Sequence, residues 1–455
     1  MVNAIKNLYL KKFKPLLGSA SFHILVSTAS VALIFLISDF VFTRKFSQED
    51  FGTWRQVMLI VGTGTTLVSL GIPEGYRYFI SYDRANGHSH AKNLIISTFG
   101  IAILFQLFLM FGGMELIARG FNNPDLQYFV YALPVIFIIV SLSRAIRYLM
   151  INNSHTIALY RYSIFSIFLS VIVIAATWFM YDKLSKAQFW YWMSGFVSLV
   201  YLVLFLPYFF VYKNRNTSSI KFKFSLKPYL RIGFPVYIAT FVGVLTLNID
   251  KMIVGGFTDT VTFAVYAIGA IELPIVGMIG GSIAQKIFPQ LVSFYKEEKI
   301  QNAKSLWLST TLKSTHITYP IILLMMIFSK PLILILFTEK YIEAVPIFQT
   351  YLLVGLWRNT QYGSLIIASG KTKWTFYYSV MCLIFSALFS ILLYYLFGVI
   401  GVAWGAFIAT SFISILQLNH ERLLGEWFRK LVLNKWVLAE IICIFITYIL
   451  YNQFG

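Results

Sequence analysis

Arg358 and Glu272 are ionisable side chains set well inside long apolar runs, where a charge costs ~2.5–3.5 kcal/mol to insert. Arg358 follows about 13 residues of such a run, ~20 Å at helical rise, too far for its head to return to the surface at which the run begins. A guanidinium stays protonated whatever surrounds it, and its planar fork holds two oxygens of a phosphate or carboxylate. Two readings stay open: Arg358 and Glu272 form an ion pair that locks their helices, or Arg358 faces a cavity and attracts an anion. Acid–base catalysis would need paired groups within reach of each other. The few carboxylates near apolar runs make no such pattern, so no catalytic residue is expected. Asp39 and Asp250 occupy matching places near the ends of two runs, with Arg55 and Lys251 as their neighbours. Rim-level pairing and an ion site or gate both fit those four. Arg144 and Arg147, one turn apart, and Arg77 after Glu74 either anchor the chain or meet an incoming anion. Lys313 and His316 are candidates to line a cavity. No metal site is expected: Cys382 and Cys443 fall inside apolar runs, and the six His are scattered, with His88 and His90 in a charged loop.

The elements that must position these residues cross a membrane. The chain is 58% apolar and 12% charged, with a mean hydropathy of +0.74. Apolar stretches near 20–43, 54–80, 92–117, 126–148, 159–181, 189–211, 230–254, 263–288, 308–336, 345–367, 374–396, 399–418 and 434–452 make roughly thirteen spans. The ninth is overlong, and a kink is expected at Pro331. Runs such as Val31–Ile37 do not alternate, which excludes the strands of an outer-membrane barrel. With the N-terminus inside, inner segments hold about 27 of the 37 Lys and Arg and outer ones about 7. That asymmetry accounts for most of the +19 net charge, so no nucleic-acid partner is expected. Residues 1–19 mix Ile5, Leu8, Leu10 and Phe13 with four Lys, the pattern of an amphipathic helix on the inner leaflet. No nucleotide-binding motif is present, so ATP does not drive the chain directly and no cofactor is expected.

Residues 149–164 recur 216 positions later as 365–380, pairing Leu149 with Leu365, Thr156 with Thr372 and Tyr162 with Tyr378. At an offset of 211, Asp39 and Phe46 pair with Asp250 and Phe257. The chain therefore reads as a duplicated helical bundle, an arrangement common among membrane transporters. The expected organisation is an N-terminal helix at 1–19, a first lobe at 20–211, a linker at 212–229, a second lobe at 230–420 and a basic loop with a last span at 421–455. Pro235, Pro274, Pro289, Pro320 and Pro346 should make spans seven to ten bendable.

The segment NIDKMIVGGFTDTV at 248–261, followed by FAVYAIGAIELPIVGMIGGSIAQKIFPQL at 263–291, resembles the polysaccharide flippases. These belong to the multidrug/oligosaccharidyl-lipid/polysaccharide exporter superfamily. Phe51-Gly52-Thr53-Trp54 and LGIPEGYRYFISY at 70–82 are similar to the same scheme in the first half. The resemblance covers about residues 20–425 and implies an all-α polytopic protein of two six-helix lobes in parallel repeat, plus a C-terminal extension. It implies alternating access and, as substrate, a polyprenyl-pyrophosphate-linked oligosaccharide moved from inner to outer leaflet of the cell membrane. Membrane lipids are then partners, and a polysaccharide polymerase and glycosyltransferases are expected neighbours. Tyr266-Ala267 and Glu272-Leu273-Pro274 also resemble the lipid II flippases, but Gly269 stands where that branch has an Arg. Residues 374–396 also lack the carboxylate of its sodium site. A cation-coupled small-molecule exporter and a lipid II flippase remain alternatives, and a coupling ion is left open. The short outer connections leave no loop large enough for a glycan polymerase or ligase.

Overall fold

Long uncharged stretches leave the backbone one way to satisfy its hydrogen bonds in lipid, which is to bond within each segment as a helix. The computed structural model describes residues 20–82, 87–152, 156–213, 225–271, 274–358 and 362–454, and among these every regular element is helical. The expected N-terminal amphipathic helix and most of the 212–229 linker lie outside the described residues. The first half runs α1 (Ala20–Lys45), α2 (Gln48–Ser69), α3 (Ile72–Tyr82), α4 (Gly87–Phe108), α5 (Met114–Gly120), α6 (Ala132–Asn152), α7 (Thr156–Tyr181) and α8 (Lys186–Lys213). The second runs α9 (Lys227–Phe257), α10 (Thr260–Gly269), α11 (Pro274–Lys296), α12 (Ile300–Ile327), α13 (Ser329–Phe337), α14 (Ala344–Arg358), α15 (Gly363–Ala368), α16 (Thr372–Phe397) and α17 (Val399–His420). After it come α18 (Leu424–Trp427), continued to Val432 by a wider turn, and α19 (Lys435–Phe454). By length and composition, five of the described helices can cross a membrane, or seven if two bent pairs each count as one span.

The duplication is visible in the element order. The helices that start at Met114, Ala132 and Lys186 have counterparts starting at Ser329, Ala344 and Val399, 212 to 215 residues on. Thr156 and Thr372 both lie in long helices, described over Thr156–Tyr181 and Thr372–Phe397.

Two compact units divide the chain. The first comprises Met1–Ser47 and Gln56–Phe241. Its helices α1 and α7 run side by side, and at one end Phe46 stacks on Tyr181 at 4.8 Å and meets Phe189 edge to face at 5.5 Å. At the other end Ile72, Tyr76, Leu94, Leu142 and Tyr229 share a core. Gly71 and Gly75 allow α3 to press against the backbone of Gly233 and Tyr229, where any Cβ would collide. Tyr229 is also 2.6 Å from Nδ1 of His90.

The second unit comprises Gln48–Arg55 and Val242–Gly455. Gly52 lets residues 48–55 lie against the Thr260 backbone, Phe51 packs on Tyr341 at 5.5 Å, and the Gln48 amide donates to the Lys340 carbonyl at 2.7 Å. The hairpin of α16 and α17 is close because Gly401 and Gly405 abut Leu393 and Ser390. Its tight connection uses Gly398 at φ +66°.

Several spans expected to be continuous are broken. The predicted 54–80 is divided into α2 and α3 at Leu70 and Gly71, which take φ of 47° and 78°. The predicted 263–288 becomes α10 and α11, because α10 ends at Gly269, where the Ala270 N–H bonds back to the Tyr266 carbonyl. The predicted 345–367 is described as α14 and α15, and residues 359–361 between them lie outside the described residues. The overlong ninth span does bend, by 73°, but at Phe328 rather than at Pro331. Pro331 falls in the first turn of α13, where proline is tolerated, so it follows the bend and does not cause it. Pro235, Pro289 and Pro320 lie inside helices. The basic loop after the second repeat is largely helical, and α18 with its extension meets α19 at 82°.

Candidate functional site

Arg358 is the last described residue of α14, and residues 359–361, which follow it, lie outside the described residues. The surroundings are aromatic. The Tyr319 hydroxyl donates to the Leu356 carbonyl at 3.2 Å, Trp357 stacks on Trp427 at 5.4 Å, and Tyr362 lies 5.8 Å from Trp307. Arg358 is half-buried and within electrostatic reach of Cys382 on α16. Its expected partner Glu272 lies outside the described residues.

Lys313 and His316 are both exposed on α12. With Asn302, Ser305 and Ser309 they recur at three- and four-residue steps, which places all five on one face of that helix. Among the described residues Lys313 makes no ion pair or hydrogen bond. His316 is within electrostatic reach of Glu440 on α19, as is the buried Tyr319. The sequence reading missed Glu440, although a lone carboxylate in the apolar run of α19 is a signal of the same kind as Glu272.

Asp250 is almost fully buried and accepts a hydrogen bond from the Tyr266 hydroxyl at 2.9 Å. Lys251 Nζ is 3.9 Å from Asp250 Oδ2, donates to the Leu247 carbonyl at 3.3 Å and lies 5.3 Å from the centre of the Tyr351 ring. These four side chains bind α9, α10 and α14 together. Arg55 donates to the Ala267 carbonyl at 3.0 Å, satisfying a carbonyl in the last turn of α10. At the start of α10, Asp259 accepts from the N–H groups of Val261 and Thr262, both at 2.9 Å. The bond from Thr262 holds its carboxyl below the usual range.

Asp39 is buried in α1 of the first unit, and Arg55, its expected neighbour, is grouped with the second. Glu74 sits in the first turn of α3 with Oε2 buried and unbonded among the described residues. The side chains of Arg77, Arg144 and Arg147 lie outside the described ones. The structure thus gathers Arg358, Lys313 and His316 into the second unit, and gives Asp250, Lys251 and Arg55 packing partners there. Among the described residues no group of three His, Cys, Asp or Glu could hold a metal ion.

Comparison with known proteins adds to this geometry. A family described as polysaccharide biosynthesis protein matches residues 41–346. The teichuronic acid biosynthesis protein TuaB of Bacillus subtilis (strain 168) is 23% identical over 335 residues, which is 72% of this chain and 65% of that protein's length. An inward-facing multidrug resistance transporter of the MATE family, in the MOP superfamily, superposes with a TM-score of 0.66 at 14% identity, covering 90% of this chain and 99% of the other. The lipid II flippase MurJ in its inward closed conformation gives 0.61 at 16% identity, covering 95% and 98%. The fold is that of these transporters.

Proposed function

The chain belongs to the polysaccharide biosynthesis protein family, and from that premise we propose that it is a flippase for polyprenyl-pyrophosphate-linked oligosaccharide repeat units. It carries them from the inner to the outer leaflet of the cell membrane by alternating access, making and breaking no covalent bond and using no cofactor. The observation that carries this reading is the exposed ammonium of Lys313, set on a helix of membrane-crossing length with no ion pair among the described residues. Charged groups at such depth face protein or a water-filled cavity, because lipid would not tolerate them. A pyrophosphate head needs fixed positive charge to offset its desolvation along a narrow path. Lys313, with Arg358 on α14, supplies that charge.

The orientation belongs to the same reading: the connection between α11 and α12 is cytoplasmic, and that between α9 and α10 faces outward. A cysteine at Ser305 should react with an impermeant maleimide only in inside-out vesicles, and one at Asp259 only in intact cells; the reverse pattern would refute the direction of transport. The functional test is surface glycan in cells carrying Lys313→Ala at matched membrane abundance. A loss of about tenfold or more is expected, the scale of ~1.4 kcal/mol in barrier or binding, with partial recovery in Lys313→Arg. Unchanged glycan would remove Lys313 from the path.

A further inference from the structure

Between the inner ends of α11 and α12 lies a groove of about 500 Å³, within the ~300–1,000 Å³ typical of ligand clefts. Its walls carry Gln290 and Ser293 from α11 and Asn302, Ser305 and Ser309 from α12, with the ring of Phe294 at one side. None of the lining residues is charged, yet all but the apolar Phe294 and Leu306 are amides or hydroxyls. Among the described residues the side chains of Gln290, Asn302 and Ser305 make no hydrogen bond. Ser309 donates to the Leu306 carbonyl at 2.9 Å and Ser293 to Glu297 at 2.8 Å, which leaves their lone pairs as acceptors. Amides that both donate and accept, hydroxyls that accept, and one aromatic face match the alternating donors and acceptors and the apolar faces of a sugar ring.

The charges stand beside this groove and not in it. One turn before Gln290, Lys286 continues the face of α11, and one turn beyond Ser309, Lys313 continues the face of α12; both are exposed and neither is ion-paired among the described residues. A neutral hydrogen-bonding trough that leads to two cations has the polarity of a molecule with uncharged sugars at one end and a phosphate group at the other. We propose that the α11–α12 groove is a docking subsite for the sugar portion of the lipid-linked substrate, with Lys286 and Lys313 receiving its pyrophosphate. This rests on the flippase reading and deepens it: the groove selects lipids that already bear sugars, so a lipid pyrophosphate that has not been glycosylated is held only by its phosphates.

The test uses the full-length protein in lipid nanodiscs and two probes. One is sugar-free undecaprenyl pyrophosphate. The other is an organic-solvent extract of the protein's own host, containing its sugar-bearing lipid pyrophosphates. Lipid retained on the immobilised protein is quantified by mass spectrometry for wild type, for the double variant Asn302→Ala with Ser305→Ala, for Ser305→Trp and for Lys313→Ala. The groove variants should retain about tenfold less sugar-bearing lipid, the scale of one or two lost hydrogen bonds, while holding sugar-free lipid as wild type does. Lys313→Ala should lose both. Should the groove variants hold the sugar-bearing lipid as wild type does while Lys313→Ala loses it, the groove assignment is overturned and the flippase reading stands. Equal loss of both lipids in the groove variants would assign the groove to phosphate and overturn the sugar role. Retention of neither lipid by wild type would overturn the flippase reading itself, and the groove with it. The residues altered are exposed, and the alanine pair decides the question if the tryptophan variant does not fold.

Discussion

The Asp250 cluster and the α11–α12 groove are both polar regions of the second unit, and they treat their polar groups in opposite ways. Around Asp250, the carboxylate takes the Tyr266 hydroxyl, Lys251 bonds a backbone carbonyl beside an aromatic ring, and Arg55 completes the end of α10. In the groove, Gln290, Asn302 and Ser305 have no protein partner among the described residues, and neither do Lys286 and Lys313 beside it. Burying a polar group costs free energy unless it is paired, so the first region is a joint between helices. The second presents its groups to solvent on helices that enter a membrane, and its groups are available to a ligand. Charge by itself does not mark function here; what marks it is whether the fold has already used the charge.

Arg358 offers the largest effect by which this contrast can be broken. Arg358→Ala should leave the protein inserted and cut surface glycan by about tenfold or more, because removing a charged hydrogen-bond donor from an anion costs ~1.5–3 kcal/mol. Arg358→Lys should recover part of the loss, since a point charge replaces the fork. Wild-type glycan levels in Arg358→Ala would remove that residue from the substrate path.

Asp250 should behave in the opposite sense. Asp250→Ala leaves the Tyr266 hydroxyl buried without an acceptor, at ~1–3 kcal/mol, and should lower the melting temperature in detergent. Surface glycan per inserted molecule should change little. A variant that melts normally yet exports nothing would make the cluster an ion site or gate, and the contrast would fail. Arg55→Ala should show a milder version, ~1 kcal/mol, because the residue is partly exposed and its bond to the Ala267 carbonyl is lost.

Asp259 gives the smallest effect. Loss of its N-cap bonds in Asp259→Ala should destabilise α10 by ~1 kcal/mol. Because the folded carboxyl titrates below its ordinary value of 3.8, its contribution is complete above that value and is lost as pH falls through the lower folded one. Melting curves between pH 5 and pH 3, ranges chosen around ~3.9 for a free Asp, should therefore fall less steeply in Asp259→Asn than in wild type.

Much of the fold was legible because lipid leaves the backbone so few options. Apolar stretches became helices, and the Thr156 and Thr372 echo falls on two long helices. What sequence could not locate were the breaks. Pro331 looked like the cause of a bend that occurs at Phe328, since a proline in a first turn and one at a kink look the same in one dimension. Arg358 was legible as a deep cation, but the aromatic side chains that packing gathers near it, Trp357 on Trp427 and Tyr362 beside Trp307, were not. The groove was not legible at all. Gln290, Ser293, Asn302 and Ser305 are ordinary residues of a helical hairpin, and only packing of α11 against α12 sets them around one space. Glu440 was readable in principle, and its relation to His316 required the contact between α12 and α19.

The central claim, translocation of a sugar-bearing lipid pyrophosphate, is tested most directly in proteoliposomes. Purified protein is reconstituted with the host's lipid-linked glycan, and the fraction of glycan accessible to an external, membrane-impermeant sugar-oxidising reagent is followed over time. Wild-type protein should expose the glycan of both leaflets within minutes, Lys313→Ala should remain at the level of protein-free vesicles, and sugar-free controls should give no signal. Equal accessibility with and without wild-type protein, in vesicles where the protein is folded and inserted, would contradict the account.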